Sequence, residues 1–173
     1  MFRAILLTVV FCATVPAAVR AIEPAPESAG DTSGASLVGA WHGRVKFNSG
    51  GFAAIGDLEI MYVFNEGGTM TESSNYDASP PVPPAYGVWR QLGPGRFEAK
   101  YLFFWTKAPQ AFGDLASGGG WLPAGHGVIR QDITVAEDGK AFQSTISYEL
   151  LDQAGQPAGD RGEGEIRASR IDF

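Results

Sequence analysis

Leu37-Val-Gly-Ala-Trp-His-Gly-Arg-Val-Lys-Phe47 decides the fold of this chain. Trp41, Val45 and Phe47 fall on one side of an extended backbone, and His42, Arg44 and Lys46 fall on the other. A period of two marks a strand with one dry face and one wet face. Gly39 and Gly43 flank Trp41 on its own face and leave room for a large indole. A strand of this kind is expected to open a small antiparallel sheet that closes around an interior.

Working outward toward the C-terminus, short alternating runs are separated by turn signals, and none carries a 3.6-residue apolar stripe. Strands are expected over about 38–48, 57–65, 69–76, 86–92, 96–106, 128–136, 141–151 and 161–171. Asn65-Glu-Gly-Gly68, Gly93-Pro-Gly95 and Glu137-Asp-Gly139 supply tight turns. Asp77 to Ala85 holds Pro80, Pro81, Pro83 and Pro84 and reads as a stiff loop. Lys107 to Gly127 reads as a long irregular segment. The last strand has the weakest periodicity, because Gly162 and Gly164 interrupt it. The fold class predicted is all-β: an eight-stranded antiparallel up-and-down barrel whose last strand pairs with its first. An open two-sheet sandwich is the structural alternative. An eight-stranded barrel has an interior that side chains fill or that holds one small ligand.

Working outward toward the N-terminus, Ile22 to Ser36 is rich in Pro, Ala, Ser, Gly and acidic residues and reads as a flexible lead-in. Before it, Met1-Phe-Arg3, an apolar run from Ala4 to Val15 and the small-residue site Val19-Arg-Ala21 read as a secretory signal peptide over 1–21. The run is short for a membrane span, so no integral membrane segment is expected after its removal. A lipoprotein is the competing reading through Cys12, but Phe11 is too large for the residue before a lipidated cysteine. The expectation is a periplasmic or secreted protein with one barrel domain over 37–173. It would have no cysteine left, and its stability must come from a core. Loss of Arg3 and Arg20 takes the formal charge from −6 to −8. That disfavours nucleic acid and anionic membrane surfaces as partners. Oligomeric state is not legible.

Leu37-Val-Gly39-Ala-Trp41 at the start and Arg170 near the end carry a family resemblance. The chain resembles the lipocalin-like (calycin) barrels, in which a Gly-x-Trp marks the first strand and a basic residue of the last strand packs across the indole. By that resemblance Gly39, Trp41 and Arg170 form a structural anchor, with Arg167 a second candidate for the cation. Such a stack contributes roughly 0.5–2 kcal/mol. The runs Phe64-Asn-Glu-Gly-Gly68-Thr, Gly87-Val-Trp89 and Glu137-Asp-Gly139 look like those of small bacterial lipocalin-like domains. The disulfide and C-terminal helix of the long secreted lipocalins are not seen. Haem-binding barrels also open with Leu-x-Gly-x-Trp-x-Gly, as at Leu37 to Gly43. Their iron ligand is a His near the C-terminus, whereas the last His here is His126.

Chemistry-bearing motifs are sparse. Two imidazoles, His42 and His126, give too few ligands for a zinc or haem site, so no metal and no cofactor is expected. No Gly-x-Ser-x-Gly, His-Glu-x-x-His or phosphate loop occurs, and no catalytic residue is assigned. His42 should face solvent beside Arg44. Glu163 and Glu165 share a face with Arg161 and Arg167 and read as a solvated ladder. His126, between Gly125 and Gly127, is either a solvated loop residue or a residue of a pocket mouth.

The aromatic set is richer. Phe64, Tyr76, Trp89, Phe97, Tyr101, Phe103, Trp105, Phe142 and Tyr148 fall on inward faces, where they either build a core or line a cavity. Phe112, Trp121 and Leu122 sit in the long Gly-rich segment and should cap the barrel mouth or meet a partner. The Pro-rich 79–84 loop is expected at one end as a rim. Candidate ligand-binding residues are therefore Phe64, Tyr76, Trp89, Tyr101, Phe103, Trp105, Phe112, Trp121, His126 and Tyr148. The leading expectation is a non-catalytic barrel binding a small hydrophobic or amphipathic molecule. Its rivals are a barrel isomerase or cyclase with Tyr76, His126 and Arg90 as acid–base groups, and a filled-core interaction module using Trp121 and the Pro-rich loop.

Overall fold

A computed structural model describes residues 34–76, 83–111, 113 and 120–173. Eight strands follow in order: β1 Gly39–Phe47, β2 Leu58–Phe64, β3 Thr69–Ser74, β4 Ala85–Gly93, β5 Arg96–Lys107, β6 Leu122–Val135, β7 Ala141–Asp152 and β8 Pro157–Arg170. Each pairs antiparallel with the next, and β8 pairs with β1. The all-β, eight-stranded up-and-down barrel is thus the fold, and the open sandwich is not. Among the described residues no helix is long and apolar enough to cross a membrane.

Closure rests on the opening stretch. Along β1, Trp41, Val45 and Phe47 are buried while His42, Arg44 and Lys46 are exposed. One edge of β1 pairs with β2 from Gly39↔Phe64 to Val45↔Leu58. The other pairs with β8 from Trp41↔Arg170 to Phe47↔Gly164. Among the described residues each strand has a paired neighbour on both sides, the closure that removes exposed sheet edges.

The period-two pattern also sets what fills the barrel. Leu58, Ile60, Tyr62 and Phe64 point inward from β2, and Phe97, Ala99, Tyr101 and Phe103 from β5. Because connections are short, the barrel has two distinct ends. One carries the turns after β2, β4 and β6, with the β1 start and β8 end. The other carries the 3-10 helix Gly51–Ala54, the ends of β3, β5 and β7, and the starts of β4, β6 and β8. The first is closed: Trp41, Phe64, Met70, Phe97, Ile133 and Phe142 pack there with almost no exposure.

Two expectations about strand limits change. β6 begins at Leu122 and pairs with an extended β5, so the irregular segment is shorter than its Gly and Pro content implies. Pro123 sits next to the register shift between Trp105 and Thr106, where a missing N–H is tolerated. Gly125 (φ +151°) is needed because a Cβ there would strike the Leu151 carbonyl oxygen. It marks a close approach of two strands, not a loop. β8 likewise begins at Pro157. Gly162 and Gly164 weaken its apolar pattern because they face inward, where a Cβ would meet the backbone of Ser49 and of Lys46 and Phe47.

Candidate functional site

At the closed end, the Arg170 guanidinium lies over the Trp41 ring, with Cζ 4.2 Å from the centroid. Its Nε donates to Gly139 O at 2.8 Å and its terminal nitrogens to Val38 O at 2.7 Å and Ser36 O at 2.6 Å. The indole N–H of Trp41 donates to Leu37 O at 2.9 Å. Gly39 makes room for the guanidinium rather than for the indole, since a Cβ there would contact Arg170 Nη1. Arg167 points outward and is exposed.

Above this end the core is polar for one layer. The Tyr62 and Tyr101 hydroxyls share a hydrogen bond of 2.8 Å. Gln131 Nε2 donates to Ser144 Oγ at 2.8 Å, while Gln131 Oε1 is buried without a partner. Between this layer and the opposite end lies a chamber of about 240 Å³. Its walls are Val45, Leu58, Ile60, Ile129, Ile146 and Leu150 with Phe47, Phe103 and Trp105. Tyr62 and Tyr101 reach it from one side, and Glu72, Ser74 and Thr106 bring further polar atoms. Wider depressions on the outer wall are open to solvent and lined by outward charged residues such as His42, Arg44 and Glu165.

Among the described residues the chamber's one carboxyl is Glu72. On β3 it shares the inward face with Met70 and Ser74 and lies opposite Tyr62 of β2. Loss of hydration raises its pKa to about 7. No hydrogen-bond or salt-bridge partner holds it among the described residues. Burial likewise pushes the Tyr62 and Tyr101 phenols well above their ordinary value, and the nearby Glu72 charge adds to this. Both phenols therefore stay neutral over the ordinary pH range, while Glu72 is shifted toward its protonated form.

Phe52 of the 3-10 helix sits at the mouth. Its ring centroid is 4.6 Å from Tyr148, 5.4 Å from Phe47 and 5.8 Å from Tyr76. The Tyr148 hydroxyl donates to the Asp160 carboxylate at 3.0 Å, and Gly51 N–H donates to Asp160 at 3.1 Å. This tie holds the 3-10 segment against the rim.

The structure sorts the predicted site residues. Tyr76, Tyr101, Phe103 and Trp105 line the chamber, and Tyr148 packs at its mouth. Phe64 and Trp89 belong to the closed end, where Trp89 packs on Phe64 and Phe97. His126 lies within β6 rather than in a loop, on the outer face opposite Phe104 and Leu151. Trp121 is half-buried just before β6 and is not in the chamber wall. Arg90 is exposed and pairs with Glu98 on the outer wall. Phe112 and the 77–82 part of the Pro-rich loop lie outside the described residues, as does the region expected to be a signal peptide.

Glu72, Tyr62 and Phe52 are chamber residues that pattern reading missed as site residues. The signal for Glu72 was the parity of Thr69–Tyr76 counted from Met70. Among the described residues no three His, Cys, Asp or Glu side chains converge as metal ligands. No family model matches the chain, and neither a curated protein nor a solved structure matches it.

Proposed function

We propose that this protein is an exported, lipocalin-like barrel that binds one small apolar or amphipathic molecule in the chamber without transforming it. The observation that carries the reading is the chamber itself, with apolar walls and a few convergent polar groups. Its volume lies just under the usual range for small-molecule sites, roughly 300–1,000 Å³. At interior packing density it suits a ligand on the order of ten non-hydrogen atoms. The eight-stranded closure and the Arg170–Trp41 stack support kinship with the calycin barrels. The N-terminal pattern of charge, apolar run and small residues supports export.

Native mass spectrometry of protein isolated from its source cells tests this directly. A co-purified small molecule is expected with the wild type. The variant Ile129→Phe/Ile146→Phe should lose it, because both side chains face the chamber. A ligand retained by that variant overturns the chamber as its site. Fractionation of the same cells should find the mature chain outside the cytoplasm, beginning near Ile22.

A second reading, a barrel isomerase, draws on Glu72 beside Tyr62 and Tyr101. A carboxyl group near neutrality can take a proton from the carbon beside a ketone and return it two carbons away. Phenols can stabilise the enolate oxygen meanwhile. Of its sequence-derived acid–base candidates, Tyr76 lines the chamber while His126 and Arg90 sit on the outer wall. A small cyclic β,γ-unsaturated ketone is the test substrate. Conjugated product formed by the wild type but not by Glu72→Gln favours this reading, and no turnover removes it.

A further inference from the structure

Glu72 is a carboxylic acid placed where, among the described residues, a carboxylate has no cation to pair with. The groups that share its chamber are the phenols of Tyr62 on β2, Tyr101 on β5 and Tyr76 beyond β3, while β4 brings Ala85 alongside. At the rim Tyr148 is already engaged by Asp160. Among the described residues no Lys, Arg or His lines the chamber. The described ion pairs, His42 and Arg44 with Glu59 and Arg90 with Glu98, lie on the outer wall, and Arg170 is at the closed end. A half-buried, unpaired carboxyl lowers stability, and an apolar or amide side chain would fit the same wall at less cost. A cation arriving from outside would offset that cost.

The walls indicate the partner's sign. Phe47, Phe52, Tyr76, Phe103 and Trp105 surround the approach to Glu72, and aromatic faces attract cations. The chain's net negative charge favours the same sign. Resting on the chamber-binding reading above, we propose that the ligand is a small apolar amine bound as its cation, with the ammonium on the Glu72 carboxylate and the hydrocarbon end against Ile129 and Ile146. The phenols of Tyr62 and Tyr101 are positioned to take further hydrogen bonds from it.

Proton linkage follows. An amine that stays protonated meets Glu72 mostly neutral below pH 7 and mostly ionised above it. Binding draws the carboxylate into its charged form and expels a proton.

The test is calorimetric titration with octylamine and with octanol, which match in size and differ in charge. Octylamine should bind the wild type at least ~10-fold more tightly than octanol at pH 8, and should weaken by roughly tenfold at pH 5.5. Repeating the titration near pH 6.5 in buffers of different ionisation enthalpy should reveal proton release. Glu72→Gln should bind both probes equally and without pH dependence. Should that variant fail to fold, the wild-type pH profile and proton release decide alone. Equal, pH-independent binding of both probes to the wild type overturns the amine assignment and leaves the chamber as an apolar site. Binding of neither probe overturns the amine assignment and removes support from the chamber-binding reading as well.

Discussion

At the scale of the residue, Glu72 carries the most testable chemistry. Its carboxyl has an ordinary value of 4.5 in the unfolded chain and about 7 in the barrel. Stability from this group is fully present below pH 4.5 and is lost as pH rises through 7, because the folded state holds its proton longer. The full effect is about 3 kcal/mol at most. Chemical denaturation should therefore show the wild type losing about 2 kcal/mol or more between pH 5 and pH 8. Glu72→Gln should be flat over that interval, and a parallel slope in both proteins sinks the assignment. Trp41 and Arg170 act oppositely, as stabilisers. Truncating the fully buried Trp41 to Ala should cost about 3–5 kcal/mol in urea melts. Arg170→Ala removes three hydrogen bonds to carbonyls and the ring stack, so a loss of about 2–4 kcal/mol is expected. A loss under about 1 kcal/mol for either means that the pair does not anchor the closed end.

At the scale of the element, glycines separate strands that look alike in composition. Gly125 combines φ +151° with a neighbouring carbonyl that leaves no room for a Cβ. Gly125→Ala should destabilise by about 3 kcal/mol, whereas Gly93→Ala, with open space around it, should cost less than about 0.5 kcal/mol. Thermal melts of the two variants check the contrast. The 3-10 helix Gly51–Ala54 poses a different question, because its Phe52 stands over the chamber mouth. Phe52→Ala should speed both entry and exit of octylamine in stopped-flow measurements, with only a modest loss of stability. Unchanged rates mean that the ligand path lies elsewhere. These elements also show where pattern reading stops. Trp41, Val45 and Phe47 announced β1 because a half-buried strand must alternate. The start of β6 was hidden because Pro123 and Gly125 resemble loop residues until Leu151 is seen beside them.

At the scale of the whole molecule, barrel closure joins β1 to β8, the two ends of the ordered sheet. Such non-local pairing has a large loop-closure cost, so refolding followed by tryptophan fluorescence should take milliseconds to seconds rather than microseconds. The resemblance to the lipocalin-like barrels implied Gly39, Trp41 and Arg170 as an anchor. Sequence alone determined the strand number, the antiparallel order and the inward aromatics. It could do so because strand periodicity, turn glycines and short connections are local, and each is written within a few residues. Only the tertiary structure decided which inward aromatics fill and which surround space. Phe64 and Trp89 lie at the packed end, while Phe103 and Trp105 face the chamber. It also turned His126 to the outer wall and Glu72 to the inner one. The physical reason is that a cavity belongs to no residue: it is the volume left when eight strands close at one radius and their side chains fail to fill it. The pKa of Glu72 follows from that same packing, since desolvation depends on neighbours that β2 and β5 bring from distant parts of the chain.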